Sequence, residues 1–236
     1  MLYRDYINVS TRYESLIFRV TILQHMVYPR EKVAGTLFFI AAIQFALGLT
    51  IAEALYPGYS VSSNVISDLG IGPSSIIFNS SIFLLGLLLL VGIYFLRHFS
   101  DFKTLNTLLL LTAIGAMGVG VITKDYTIAH GAVASTAFFF AGLSAISSFR
   151  VLKKPLSLIS IILGTMTVGA LVLFSSGVIT SGSLTTFTVN DSSLYMGLGP
   201  GGIEHLVVYP AIMWIAGFSG HLITQPYGDL TFGKKK

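Results

Sequence analysis

The sequence predicts an all-α fold, a six-transmembrane-helix bundle preceded by an N-terminal interfacial amphipathic helix. Three observations predict it. The 236 residues are 53% hydrophobic and only 10% charged, with a mean hydropathy of +0.80. Soluble domains carry about a quarter charged residues, so lipid must solvate most of this surface. Six apolar segments of roughly membrane-spanning length, about 20 residues each, take up nearly the whole chain. The basic residues divide unequally between the connections that those six spans create.

The organisation follows in order. Residues 1–33 form a cytoplasmic arm. Arg4, Arg12, Arg19, Arg30 and Lys32 punctuate an apolar stripe of Leu16, Ile17, Val20, Ile22, Leu23 and Met26. That pattern reads as a helix lying on the inner leaflet, and the arm lacks the apolar core and cleavage site of a signal peptide. The transmembrane domain covers 34–224. Its spans run over about 34–55, 76–96, 104–122, 128–149, 156–179 and 203–223. Tyr56-Pro57-Gly58-Tyr59 ends the first with interfacial aromatics, and Pro155 suits the first turn of the fifth. Gly199-Pro200-Gly201-Gly202 reads as a loop breaker ahead of the sixth. Residues 225–236 make a basic cytoplasmic tail.

Numbering the sides alternately puts 13 of the 14 Lys and Arg residues on the side of both termini, with Lys124 alone opposite. Basic residues stay cytoplasmic during insertion. The expected location is therefore the cell membrane, multi-pass, with N- and C-termini cytoplasmic. The net charge of +4 is topological, and no nucleic-acid partner is expected. The absence of cysteine excludes disulfides, thiolate metal sites and a cysteine nucleophile. Small residues, among them Gly115, Gly118, Gly131 and Gly142, let helices approach closely in lipid, and spans three and four should form a tight hairpin.

With the orientation set, five acids fall on the outer side: Glu53, Asp68, Asp125, Asp191 and Glu204. His130 and His205 join them. Ionisable groups at the rim of the hydrocarbon are costly unless they face each other or water. Three readings stand side by side. The groups are solvated helix ends, although Glu53 lies at a helix C-terminus, where negative charge is unfavourable. Alternatively, they form an acid–base or metal site. His130 or His205 would then be the base, Asp68 or Asp125 its orienting carboxylate, and a metal would sit at His130 and His205. The third reading is haem held between His130 and His205, with His98 and His221 as a second pair. Intramembrane serines such as Ser80, Ser135 and Ser144 read as packing residues, since no GxSxG elbow frames them. Asn190-Asp191-Ser192 fits the N-glycosylation pattern on the expected outer side.

Ser67-Asp68-Leu69-Gly70 after the first span, Phe78-Asn79 opening the second, Asp125 with His130-Gly131, and Gly202-Ile203-Glu204-His205 together carry a resemblance. Over about residues 34–224 the chain resembles an uncharacterised polytopic membrane family catalogued as domain of unknown function 998. His205 stands where that family usually has Arg. The resemblance implies six to seven spans and an outer polar site, and it names no reaction. The expected function is an outward polar pocket that binds, or hydrolyses, a lipid or small polar molecule. His130, Asp125, Asp68, Glu204 and His205 are candidates for its chemistry, and Asn79 and Glu53 for ligand binding. A non-catalytic subunit of a larger membrane complex is the alternative. A transporter fits less well, because no span carries a mid-membrane charge or a broken helix. Membrane lipids are the expected partners.

Overall fold

A computed structural model describes residues 29–183 and 189–224. Among them are six long helices: α1 (Arg30–Leu55), α2 (Ser75–Leu96), α3 (Lys103–Val121), α4 (Thr127–Ser147), α5 (Leu156–Thr180) and α6 (Gly199–Thr224). All six are long and apolar enough to cross a membrane. No strand occurs among the described residues. The expected helix on the N-terminal arm and the basic tail fall outside them, except that α1 takes up the arm from Arg30.

Lipid offers no hydrogen bonds, so each span must satisfy its backbone internally, as a helix does. The shortest, the 19-residue α3, extends about 28 Å at ~1.5 Å per residue, close to the ~30 Å of a hydrocarbon core. Large apolar side chains face outward, including Ile40, Leu47 and Ile51 on α1 and Ile159, Ile162 and Met166 on α5. That pattern would be a liability in water and is ordinary in lipid.

Each helix packs on the next, and α6 returns to pack on α1, so the six close a ring. Its interior is aromatic: Phe38, Phe45, Phe78, Phe102, Trp214 and Phe218 are almost fully buried. Trp214 stacks on Phe218 with ring centroids 5.6 Å apart. Its indole N–H donates to Ser148 Oγ at 3.1 Å, which gives this buried polar atom a partner. The seams are made by missing side chains. A β-carbon on Gly115 would lie 2.5 Å from the Ala137 nitrogen, confirming the α3–α4 hairpin, and one on Gly164 would lie 2.5 Å from the Gly142 carbonyl oxygen across α4–α5.

One sequence expectation is corrected here. Gly199–Gly202 is no loop breaker but the first turn of α6. Pro200 suits a first turn because its missing N–H would be unpaired there anyway. Gly199 adopts a positive φ of 73° to enter the helix. Gly201 lies so close to the α1–α2 connection that a β-carbon would sit 2.0 Å from the Asn64 carbonyl oxygen and 2.4 Å from that of Val61. Its N–H donates to Ser62 O at 3.1 Å. Glu204 and His205 are therefore in the second turn of α6, deeper than expected, and each is 8% exposed.

Candidate functional site

The α1–α2, α3–α4 and α5–α6 connections share one end of the bundle, the end that carries Lys124. The first of them folds inward through a short 3-10 turn, Ile66–Gly70. Val65, Ile66 and Leu69 are buried, so the hydrophobic effect anchors the turn among the helices. Asn79 Nδ2 donates to Gly70 O at 2.9 Å, and Ser74 Oγ donates to Leu69 O at 3.3 Å. Pinned this way, the turn holds Ser67 and Asp68 against the helix ends.

Glu204, Ser67, His130, Lys124 and Asp68 converge there. The Ile66 N–H donates to Glu204 Oε2, and Ser67 Oγ lies 2.8 Å from Glu204 Oε1. Ser67 Oγ is also 3.2 Å from His130 Nε2. The other ring nitrogen of His130 donates to Ile122 O at 2.6 Å. Beside this line Lys124 Nζ pairs with Asp68 Oδ1, and Asn64 Nδ2 donates to Asp68 Oδ2 at 3.2 Å. The Lys124 and Asp68 side chains are only 7% and 17% exposed.

A second pair lies next to it. His205 Nε2 is 2.9 Å from Glu53 Oε1, and its Nδ1 donates to Gly201 O at 2.7 Å. The Gly201 carbonyl only accepts, so Nδ1 carries a proton, and one further proton is shared between Nε2 and the Glu53 carboxyl. That contact also gives Glu53 a partner at its helix C-terminus, where a negative charge is unfavourable. Tyr209 stacks on the His205 ring, with centroids 5.6 Å apart. Tyr59, in the α1–α2 connection, has a buried hydroxyl with no hydrogen-bond partner. Burial, reinforced by the nearby Glu53, Glu204 and Asp68 carboxylates, pushes its pKa well above the ordinary phenol range, so it stays neutral.

The sequence candidates therefore divide. Asp68, His130 and Glu204 come together; Glu53 and His205 form their own pair; Asn79 braces the 3-10 turn from behind. The expected pairing of Asp68 or Asp125 with a histidine does not occur. Asp68 is held by Lys124, while Asp125 is exposed and accepts from Thr123 Oγ1 at 3.1 Å. In the tight α3–α4 turn, adjacent residues point opposite ways, so Lys124 enters the site and Asp125 leaves it. Asn190 is exposed in the α5–α6 connection, with its N–H donating to Ser183 Oγ at 3.0 Å. Lys124 and Ser67 were not expected here. The signal for Lys124 was its isolation, a single cation at an otherwise acidic end.

The metal and haem readings do not fit this donor set. Among the described residues no three His, Asp or Glu side chains converge as a metal would require. Both ring nitrogens of His130 and of His205 are already engaged, so neither stands free as an axial ligand for haem.

A cavity of about 370 Å³ opens beside Ser67. Ser67, Lys124, His130 and Glu204 form its polar end, while Ala134, Phe138, Leu171, Phe174 and Val207 make its walls. Gly131 lines it too, and a β-carbon there would meet nothing within 4 Å. Its rim includes Ile128 and Ile179, which are 70% and 63% exposed. These two exposed residues stand where α4 begins and α5 ends, at the Lys124 end of the bundle.

A family model described as a protein of unknown function (DUF998) matches residues 39–221. The chain belongs to this family. The DUF998 match runs from α1 to α6 and so includes both polar clusters and every wall of the cavity. No curated protein and no solved structure matches the chain. As a DUF998 member with six apolar helices, it is a multi-pass membrane protein.

Proposed function

We propose that the cavity is a binding site for an amphiphile drawn from the membrane. The polar head would meet Ser67, Lys124, His130 and Glu204, and the apolar chain would lie along Phe138, Leu171 and Phe174. One observation carries the reading: one cavity is lined both by Ser67, Lys124, His130 and Glu204 and by the apolar side chains of α4, α5 and α6. Its volume is at the lower end of the usual range for ligand sites, about 300–1,000 Å³.

The test is photo-crosslinking in lipid nanodiscs with a single-chain lipid that carries a diazirine in its acyl chain. Crosslinks should map to α4 and α5 residues facing the cavity. Gly131→Trp, where there is room for a side chain, should reduce that labelling about tenfold, equivalent to ~1.4 kcal/mol of binding, with thermal unfolding unchanged. Labelling spread evenly over all lipid-facing surfaces would overturn the reading. A non-catalytic subunit of a larger complex would then take its place.

This reading places the Lys124 end outside the cell membrane and both termini in the cytoplasm, on the strength of the 13-to-1 division of basic residues. The cysteine-free chain gives a direct check. A single cysteine at Asp191 should react with an impermeant maleimide in intact cells, and one at Ser100 only after permeabilisation. The opposite pattern would reverse the orientation. In a glycosylating host the same topology makes Asn190 a glycan acceptor, read as a glycosidase-sensitive mobility shift that Asn190→Gln removes.

A further inference from the structure

Three contacts stand in a row at the polar end of the cavity. Ile122 O to His130 Nδ1 is 2.6 Å, His130 Nε2 to Ser67 Oγ is 3.2 Å, and Ser67 Oγ to Glu204 Oε1 is 2.8 Å. Each needs one proton. A carbonyl oxygen only accepts, so Nδ1 carries its proton, and the tautomer of a neutral His130 is fixed with its Nε2 lone pair towards Ser67. Ser67 has a single hydroxyl proton and can donate to only one of its two neighbours. The other neighbour must donate to Ser67.

Two arrangements satisfy every contact. In one, a protonated Glu204 donates to Ser67, and Ser67 donates to neutral His130. In the other, an imidazolium at His130 donates to Ser67, and Ser67 donates to the Glu204 carboxylate. Both hold three protons, and they differ by one step of a proton along each of two contacts. Ser67 is a hydroxyl in contact with both a base and a carboxyl group, and it lines a mostly apolar cavity.

We propose that Ser67 is a nucleophile for the acyl group of a long-chain carboxylic ester, with His130 as its general base; this rests on the cavity binding an amphiphile. Ser67 Oγ forms a bond to the acyl carbon while its proton passes to His130 Nε2. The carbonyl π pair moves onto the acyl oxygen, beside the positive charge of Lys124. As the tetrahedral species collapses, the bond to the leaving alkoxide breaks and His130 returns the proton to that oxygen. Water then attacks the Ser67 ester and gives a proton to His130. Collapse frees the carboxylic acid and restores the Ser67 hydroxyl, so the sum is ester plus water to acid plus alcohol. The Ile122 carbonyl holds the imidazole in place, the task a carboxylate performs in the Ser-His-Asp arrangement. Ser67 sits on a buried 3-10 turn instead of a strand-to-helix elbow, so no GxSxG pattern announces it.

The full-length protein in nanodiscs, treated with an alkyl fluorophosphonate, tests this. Attack by Ser67 Oγ would form a P–O bond and expel fluoride, with the hydroxyl proton taken by His130. Peptide mapping of the wild type should place the adduct on Ser67, a result that needs no variant to fold. Ser67→Ala should remove it. His130→Gln should slow its formation at least about 100-fold, the range for loss of a general base, while thermal unfolding confirms that the variant is folded. No adduct on Ser67, or an unchanged rate in folded His130→Gln, would overturn the proposal. The diazirine lipid separates the two ideas: cavity crosslinks without a Ser67 adduct remove only the nucleophile, whereas loss of both removes the binding reading as well.

Discussion

Replacing Lys124 with methionine is expected to cost about 3–5 kcal/mol of stability, the penalty for stranding one member of a buried ion pair. Asp68 would lose its ammonium partner and keep the Asn64 amide, in a side chain 17% exposed. Asp68→Asn alone should cost a comparable amount, since it takes the carboxylate away from the Lys124 ammonium, whose side chain is 7% exposed. The double variant Asp68→Asn/Lys124→Met should recover most of either loss, because a buried pair replaced by neutral groups of similar volume is often close to neutral in energy. Unfolding measured in bicelles for all four proteins makes a thermodynamic cycle. Strictly additive losses would show that the two side chains do not act as a pair.

Gly201→Ala should also be severe, at about 3 kcal/mol, the upper end of the range for overpacking. The new β-carbon would sit 2.0 Å from one carbonyl oxygen and 2.4 Å from another, and backbone cannot yield as a flexible side chain does. Relief requires the start of α6 to move away from the α1–α2 connection. Glu204 would then be drawn from the Ile66 N–H and Ser67, so amphiphile crosslinking should fall along with the unfolding temperature. Gly131→Ala is the control: it meets open space, and its unfolding should match wild type. Equal behaviour of the two alanine variants would contradict the close approach at Gly201.

The six helices were legible because lipid imposes one coarse requirement, long apolar stretches, which composition alone reveals. Depth along those helices was legible too, so Glu53, His130, Glu204 and His205 could be assigned to one end. Pairing was not. Lys124 and Asp68 are far apart in sequence, and nothing local in either segment marks them as partners. Lys124 and Asp125 are neighbours of opposite fate, decided by the direction of a tight turn that residue type does not encode. Ser67 was one hydroxyl in a serine-rich connection, distinguished only by the burial of Ile66 and Leu69 around it. Gly201 resembled a breaker because glycine serves both purposes, conformational release and close approach, and only the neighbouring carbonyls tell them apart.

The closure of α6 onto α1 has a consequence for biogenesis. During synthesis α1 enters the membrane first, bringing Glu53 with it, while His205 is still to be translated. Until α6 is inserted, Glu53 has no histidine partner, Ser67 and the Ile66 N–H lack their carboxyl group, and Phe38 lacks the Phe218 ring it stacks on. A nascent chain of five spans is therefore a membrane-inserted intermediate with an uncovered seam and an uncompensated acid near the bilayer surface. Such a species has the features by which membrane quality control distinguishes an unfinished chain from a finished one. The last helix to emerge completes the polar cluster, so the protein has no assembled site before it has a whole fold.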